Sequence, residues 1–323
     1  MQSQALIVLF SLPTIVHGIA IWAEWKAFKV AHNKSYQSAD EHRLRFFIFM
    51  DNRHRIAEHN KLWARGQESH QLGINQFADL SPREFRRGLL REGQLSKSFG
   101  DVYIMHPEVE LEALPKSLDW RTRNAVTEVK NQGDFSTCWS FAATGVIEGR
   151  YAIKYGHLQS LSEQNLVDCC LGSERGYNTW RAMECIQHLG GIDTESSYPY
   201  QGADDVCRYR LSASAARVFG VVALPEGNER IMAQALLRGP LAVSISSNTM
   251  QFYTSGVFRD SSCSRSFDHA VLAVGYGTDP RFGDYWLIKN SWGTQWGESG
   301  YIRMTRNSNN QCGVASEAFY PIV

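Results

Sequence analysis

All seven cysteines of this 323-residue chain fall at or beyond position 138: Cys138, Cys169, Cys170, Cys185, Cys207, Cys263 and Cys312. Disulfide staples are therefore open only to the C-terminal two-thirds, and the first third must hold together by packing and hydrogen bonds. The odd count leaves at least one thiol over. No C-x-x-C pair is present, which speaks against a thiolate zinc site. Disulfides need an oxidising compartment, and the N-terminus offers a route to one. An apolar run from Ala5 to Val16 reaches the small residues Gly18 and Ala20, the pattern of a secretory signal peptide, expected over residues 1–18. No Lys or Arg precedes the run, so a buried N-terminal helix is the competing reading. The run is too short to cross a bilayer, and no later stretch is apolar enough, so no membrane partner is expected.

Charge is balanced, with 33 Lys+Arg against 33 Asp+Glu. Nucleic acid and acidic surfaces are accordingly not expected as partners. From Ile21 to about Arg91 the chain reads as helical. Trp22, Trp25 and Phe28 recur every three residues as one short amphipathic helix. Ser38 with Glu41 forms a capping-box pattern, and Gly66 closes the helix that follows. Along that helix Glu41, Arg45, Phe49, Asn52, Ile56 and Asn60 share one stripe. Its mixture of charge, amide and apolar character is unlike an ordinary core face. Gly73 to Asp79 reads as an extended stretch, Pro82 opens another helix, and about residues 92–113 read as a linker.

Beyond Leu114 a helical half precedes a β-rich half. Cys138 to Tyr155 carries a buried helix face, whereas Leu241 to Ile245, Ala270 to Val274 and Tyr285 to Ile288 read as strands. The fold class expected is α+β with two lobes. A cysteine that opens a helix meets unpaired amides and the positive dipole end, which favour its thiolate. His269 starts an apolar strand downstream, and Asn290 follows in Asn290-Ser291-Trp292-Gly293. An imidazole can hold Cys138 ionised, an amide can orient that imidazole, and Gln132 with the Cys138 amide can stabilise an oxyanion.

Cys138, His269, Asn290 and Gln132 in these contexts resemble the papain-like cysteine peptidases, specifically their cathepsin L-like branch. The six-residue stripe and Gly73 to Asp79 are similar to that branch's two propeptide motifs. The resemblance implies a preproenzyme: signal 1–18, inhibitory propeptide 19–113, and a papain-like peptidase domain 114–323. That domain would have a helical lobe over about 123–224 and a β-barrel-like lobe over about 225–320. It further implies a secreted or lysosomal endopeptidase that needs no metal or organic cofactor. Its partners would be protein or peptide substrates, its own propeptide, which would run backwards through the cleft, and cystatin-type inhibitors. Disulfides Cys169–Cys207 and Cys263–Cys312 follow from the same resemblance. So do substrate contacts at Trp180, Glu317, Ala270 and Trp292, with Trp292 shielding the pair of Asn290 and His269.

The chain also departs from the family. Phe135 and Tyr177 stand where a disulfide beside the nucleophile is expected. Cys170 and Cys185 match neither position and are either two thiols or a pair. Trp180 occupies a glycine position in the substrate-binding wall, and Glu317 falls at the floor of the S2 pocket. A catalytically silent binding protein or inhibitor on the same fold is the alternative these departures raise.

Overall fold

The computed structural model describes residues 12–89, 103–104, 113–170 and 178–323. Helix α1 (Leu12–Ala31) continues through the expected signal junction at Gly18. Its Trp25 and Phe28 stack at 5.5 Å and pack on Phe49 of α2 (Ala39–Ala64). Trp22, one turn earlier, stays 42% exposed, so only two of the three aromatics enter the core. Ser38 caps α2 as its pattern predicts: its side chain accepts from the Glu41 amide at 3.1 Å. Glu41 reaches back to the amide of Gln37 instead of Ser38. At the other end Gly66 takes φ +75°, a left-handed conformation that ends a helix at little cost.

The mixed stripe on α2 has a structural purpose. Asn60 exchanges two hydrogen bonds with the backbone of Leu72 in β1 (His70–Leu72). Asn52 donates to the carbonyls of Ala78 and Leu80, and Arg45 to the carbonyl of Asp79 and to Glu84. Phe49 and Ile56 fill the gaps between them, buried. The stripe thus satisfies the backbone of a segment that has little regular structure of its own. Only His70–Leu72 is a strand, and the chain turns at Asn75 to Ala78 before α3 (Pro82–Leu89). Ser81 and Glu84 form a reciprocal cap at that helix start.

A short strand β2 (Tyr103–Ile104) follows, and β3 (Leu118–Asp119) opens the larger domain. Its helical lobe contains α4 (Cys138–Tyr155), α5 (Glu163–Cys170) and α6 (Thr179–Leu189). Its sheet lobe contains β4 (Gly220–Ala223), α7 (Glu229–Leu236), β5 (Leu241–Ile245), β6 (Tyr253–Phe258), β7 (His269–Asp279), β8 (Gly283–Lys289), β9 (Tyr301–Thr305) and β10 (Ala318–Ile322). The strand order is β1-β6-β9-β8-β7-β5-β10-β4-β2, with β3 added beside β7. Strand β7 is buried over nine successive residues because α4 packs on it. That double coverage explains the unbroken apolar run at Ala270 to Val274. This is the α+β, two-lobe architecture expected from the sequence.

Disulfides join Cys169 to Cys207 and Cys263 to Cys312, and a third joins Cys170 to Cys185. The choice left open for the last two is thereby resolved in favour of pairing. The third bond ties the end of α5 to α6, and Cys138 alone is outside a disulfide. Phe135 lies over Gly202, while Tyr177 and the expected linker, apart from Tyr103 and Ile104 and the residues from 113, fall outside the described residues.

Candidate active site

Helix α4 begins at Cys138 itself, and its N-cap Thr137 makes no side-chain cap. The Thr137 hydroxyl bonds to Tyr200 at 2.7 Å instead. The positive end of the α4 dipole therefore stands at the Cys138 thiol. From the opposite lobe, β7 begins at His269, and the amide of the next residue, Ala270, donates to Cys138 Sγ at 3.4 Å. Thiol and imidazole therefore sit on adjacent elements at the seam between the lobes.

Asn290 lies just past the end of β8. Its Oδ1 accepts from His269 Nε2 at 2.7 Å and from the Ser291 amide at 2.8 Å. The backbone donor identifies that atom as oxygen, so Nε2 must carry the proton. Nδ1 remains as the second nitrogen for proton exchange, and it makes no hydrogen bond among the described residues. Trp292 stacks on the imidazole at 4.7 Å and is fully buried, so the bond from Asn290 to His269 is shielded from water. Burial pushes His269 down to about 4, with the bond to Asn290 opposing the shift.

Gln132 is buried beside them. Its backbone amide donates to the Ser291 carbonyl, and the Ser291 hydroxyl donates to its Oε1 at 2.7 Å. Its Nε2 donates to the Phe135 carbonyl at 2.7 Å. Tyr200, which the sequence reading did not single out, bonds to both the Gln132 carbonyl and Thr137. No local pattern around Tyr200 signals this, because the contact spans the helical lobe.

The N-terminal segment reaches the site from the sheet side. Strand β1 pairs with β6, and the Asn75 side chain donates to the Gln251 carbonyl at 2.7 Å. Gly73 runs so close to Thr254 that a Cβ would stand 2.5 Å from its hydroxyl. Gln76 donates to the Trp292 carbonyl at 2.7 Å, and the rings of Phe77 and Phe85 pack edge-on against Trp292. The Ser136 hydroxyl donates to the Gly88 carbonyl, two residues before Cys138.

A sequence profile of the papain family cysteine proteases matches residues 114–322, and one of the cathepsin propeptide inhibitor domain matches residues 25–85. The chain belongs to the papain family of cysteine proteases. It is 44% identical to cathepsin L of Sarcophaga peregrina, over 98% of this chain and 99% of that protein. It is 43% identical to digestive cysteine proteinase 1 of Homarus americanus, over 95% and 97%. Among solved structures, digestive procathepsin L 3 from the Tenebrio molitor larval midgut superposes with a TM-score of 0.85 at 41% identity, covering 94% of this chain and 99% of that one. The chain is a cathepsin L-like cysteine protease zymogen, with a propeptide inhibitor domain and a papain-like peptidase domain.

Two of the residues expected to meet substrate need restating. Trp180 lies at a helix start. It is the second residue of α6, its amide donates to the N-cap Asn178, and its indole is buried in the helical-lobe core. The indole expected beside the substrate subsites is thus packed into the core. Glu317 is not the solvent-facing residue it resembles by type: it is 4% exposed and accepts from the Ser244 hydroxyl at 2.8 Å.

Proposed function

We propose that Cys138 is the nucleophile of a cysteine endopeptidase, that His269 is its proton partner, and that Asn290 orients the imidazole. The observation that carries this reading is the double placement of β7: Asn290 holds His269 by Nε2 while the neighbouring Ala270 amide touches the Cys138 sulfur. The thiolate attacks the scissile carbonyl, and the imidazolium protonates the departing amine. Water activated by His269 then hydrolyses the thioester. The Cys138 amide and the Gln132 side-chain amide receive the oxyanion. Ala270 and Trp292 border the reacting atoms, Ala270 through its backbone and Trp292 by covering His269. Maturation by cleavage near Leu114, passage through the secretory pathway to the lysosome or the exterior, and recognition by cystatin-type inhibitors complete the reading. Among the described residues no helix is long and apolar enough to cross a membrane.

Specificity follows from Glu317. Ser244 pairs with Ala270 across β5 and β7, and Glu317 lies one strand further on, in the connection entering β10. Two strand spacings put the carboxylate roughly 10 Å from the thiol's neighbour, within reach of a P2 side chain. A P2 Arg or Lys would gain a charge-assisted hydrogen bond there. The matured enzyme is expected to cleave short peptidyl substrates with P2 Arg as well as P2 Leu. Glu317→Ala should lower kcat/KM for P2 Arg by roughly tenfold to a hundredfold and leave P2 Leu intact. Equal P2 Arg rates in both proteins would remove Glu317 from the pocket. No turnover of either substrate would make the chain a silent homologue.

A further inference from the structure

The N-terminal segment holds a group of side chains that the peptidase chemistry does not use. His59 on α2, Glu68 in the turn after it and His70 on β1 each offer one ligand atom, and these atoms lie within 4.8 Å of one another. His70 is 95% removed from solvent, and its Nδ1 has no hydrogen-bond partner among the described residues. A buried imidazole nitrogen without a partner is costly unless something else satisfies it. His59 is oriented by its own Nε2, which lies 2.9 Å from the His70 carbonyl. That contact leaves Nδ1 as the lone-pair atom and resembles the backbone-carbonyl support that metal-binding histidines commonly receive. The two rings stand 4.6 Å apart, with Phe258 of the peptidase domain 4.8 Å from His70 as an apolar wall.

We propose that His59, Glu68 and His70 bind a divalent first-row transition-metal cation, of which Zn2+ is the representative. Two imidazoles and one carboxylate match the donor preference of such ions, with a water as fourth ligand. Ligand atoms around tetrahedral zinc stand about 3.3 Å apart at bonds near 2 Å. The half-buried Glu68 and His59 side chains close that gap by small rotations towards the fixed His70. The cation would join α2 to β1, and β1 is the strand that pairs with β6 of the peptidase domain. Metal binding therefore staples the inhibitory segment in the conformation that docks. It couples zymogen stability to free metal by mass action.

The test uses the full-length chain carrying Cys138→Ala, which removes both self-cleavage and the competing thiol. Titration with Zn2+ alone should show one equivalent bound and a melting temperature raised by several degrees, and Co2+ alone should give the absorption of a tetrahedral nitrogen and oxygen site. His59→Gln and Glu68→Gln, both at partly exposed positions, should each weaken binding by at least about tenfold. His70→Gln should do the same if it folds. Absence of binding at about 100 µM free Zn2+, or binding unchanged in both the His59 and Glu68 variants, would overturn the proposal.

Discussion

Cys138→Ala, matured by removal of the N-terminal segment, is expected to lose peptidase turnover by at least about 10^3-fold, with KM little changed. The substitution removes the atom that forms the thioester. It disturbs little else, because the sulfur is in no disulfide and its hydrogen bond from the Ala270 amide is weak. Melting temperature should therefore stay close to that of the parent. Asn290→Ala should cost less, since His269 keeps its place under Trp292 but loses the partner that fixes its tautomer. A Cys138→Ala protein retaining a tenth of wild-type turnover would show that another group performs the attack.

Lys130→Met is expected to destabilise the protein by about 3–5 kcal/mol. Lys130 lies between two fully buried carboxylates, 3.0 Å from Glu148 and 2.7 Å from Glu163, and also donates to the Leu161 carbonyl. Burial alone would suppress its charge, but the two glutamates raise its pKa above the usual lysine value. Burial pushes Glu163 up to about 7, and it pushes Lys289, on the far side of Glu148 and Thr127, down to about 8. Two cations and two anions thus share one buried space under α4. Removing Lys130 leaves the carboxylates facing each other without their main counter-charge. Glu163→Gln in the Lys130→Met background should recover part of the loss, a coupling readable by urea denaturation of the Cys138→Ala chain. A loss below about 1 kcal/mol would mean that water already solvates the group. The network lines the same cavity as Asn290 and Ser291, so it also supports the site from behind.

The residues of the proposed site were legible as a group because they are chemical types in compact local contexts, and the helix that starts at Cys138 runs to Tyr155, the span its apolar face marks in the sequence. The α2 stripe was visible as a pattern, and its meaning emerged only with its partners. Asn52 and Asn60 serve backbone atoms of Leu72, Ala78 and Leu80, which no periodicity in α2 can announce. The burial of Trp180 was not legible, because its match to a glycine of the family wall says nothing of where an indole goes, and Asn178 caps a helix there. The pairing of Cys170 with Cys185 was open because helix-face position does not fix distance. Lys130, Glu148, Glu163 and Lys289 carried no signal at all: charged residues read as surface until four of them are found to balance one another in the core.

With the N-terminal segment docked, Phe77 and Phe85 press on Trp292, Trp292 covers His269, and burial holds that imidazole down to about 4. Between that value and the ordinary 6.5 the docked ring is neutral and cannot balance a thiolate. Removal of the segment is expected to open the site to water and let the ring take up a proton beside the sulfur. The released state then binds more protons than the docked one, so docking weakens as pH falls through this window. The direct measurement is the rate at which an epoxide thiol probe labels the chain at about pH 5.5, read by mass spectrometry before and after acid maturation. One equivalent on Cys138 of the matured enzyme, formed at least about 100-fold faster than in the intact zymogen, is the predicted result. Equal rates in the two forms, or a label on any residue other than Cys138, would contradict it.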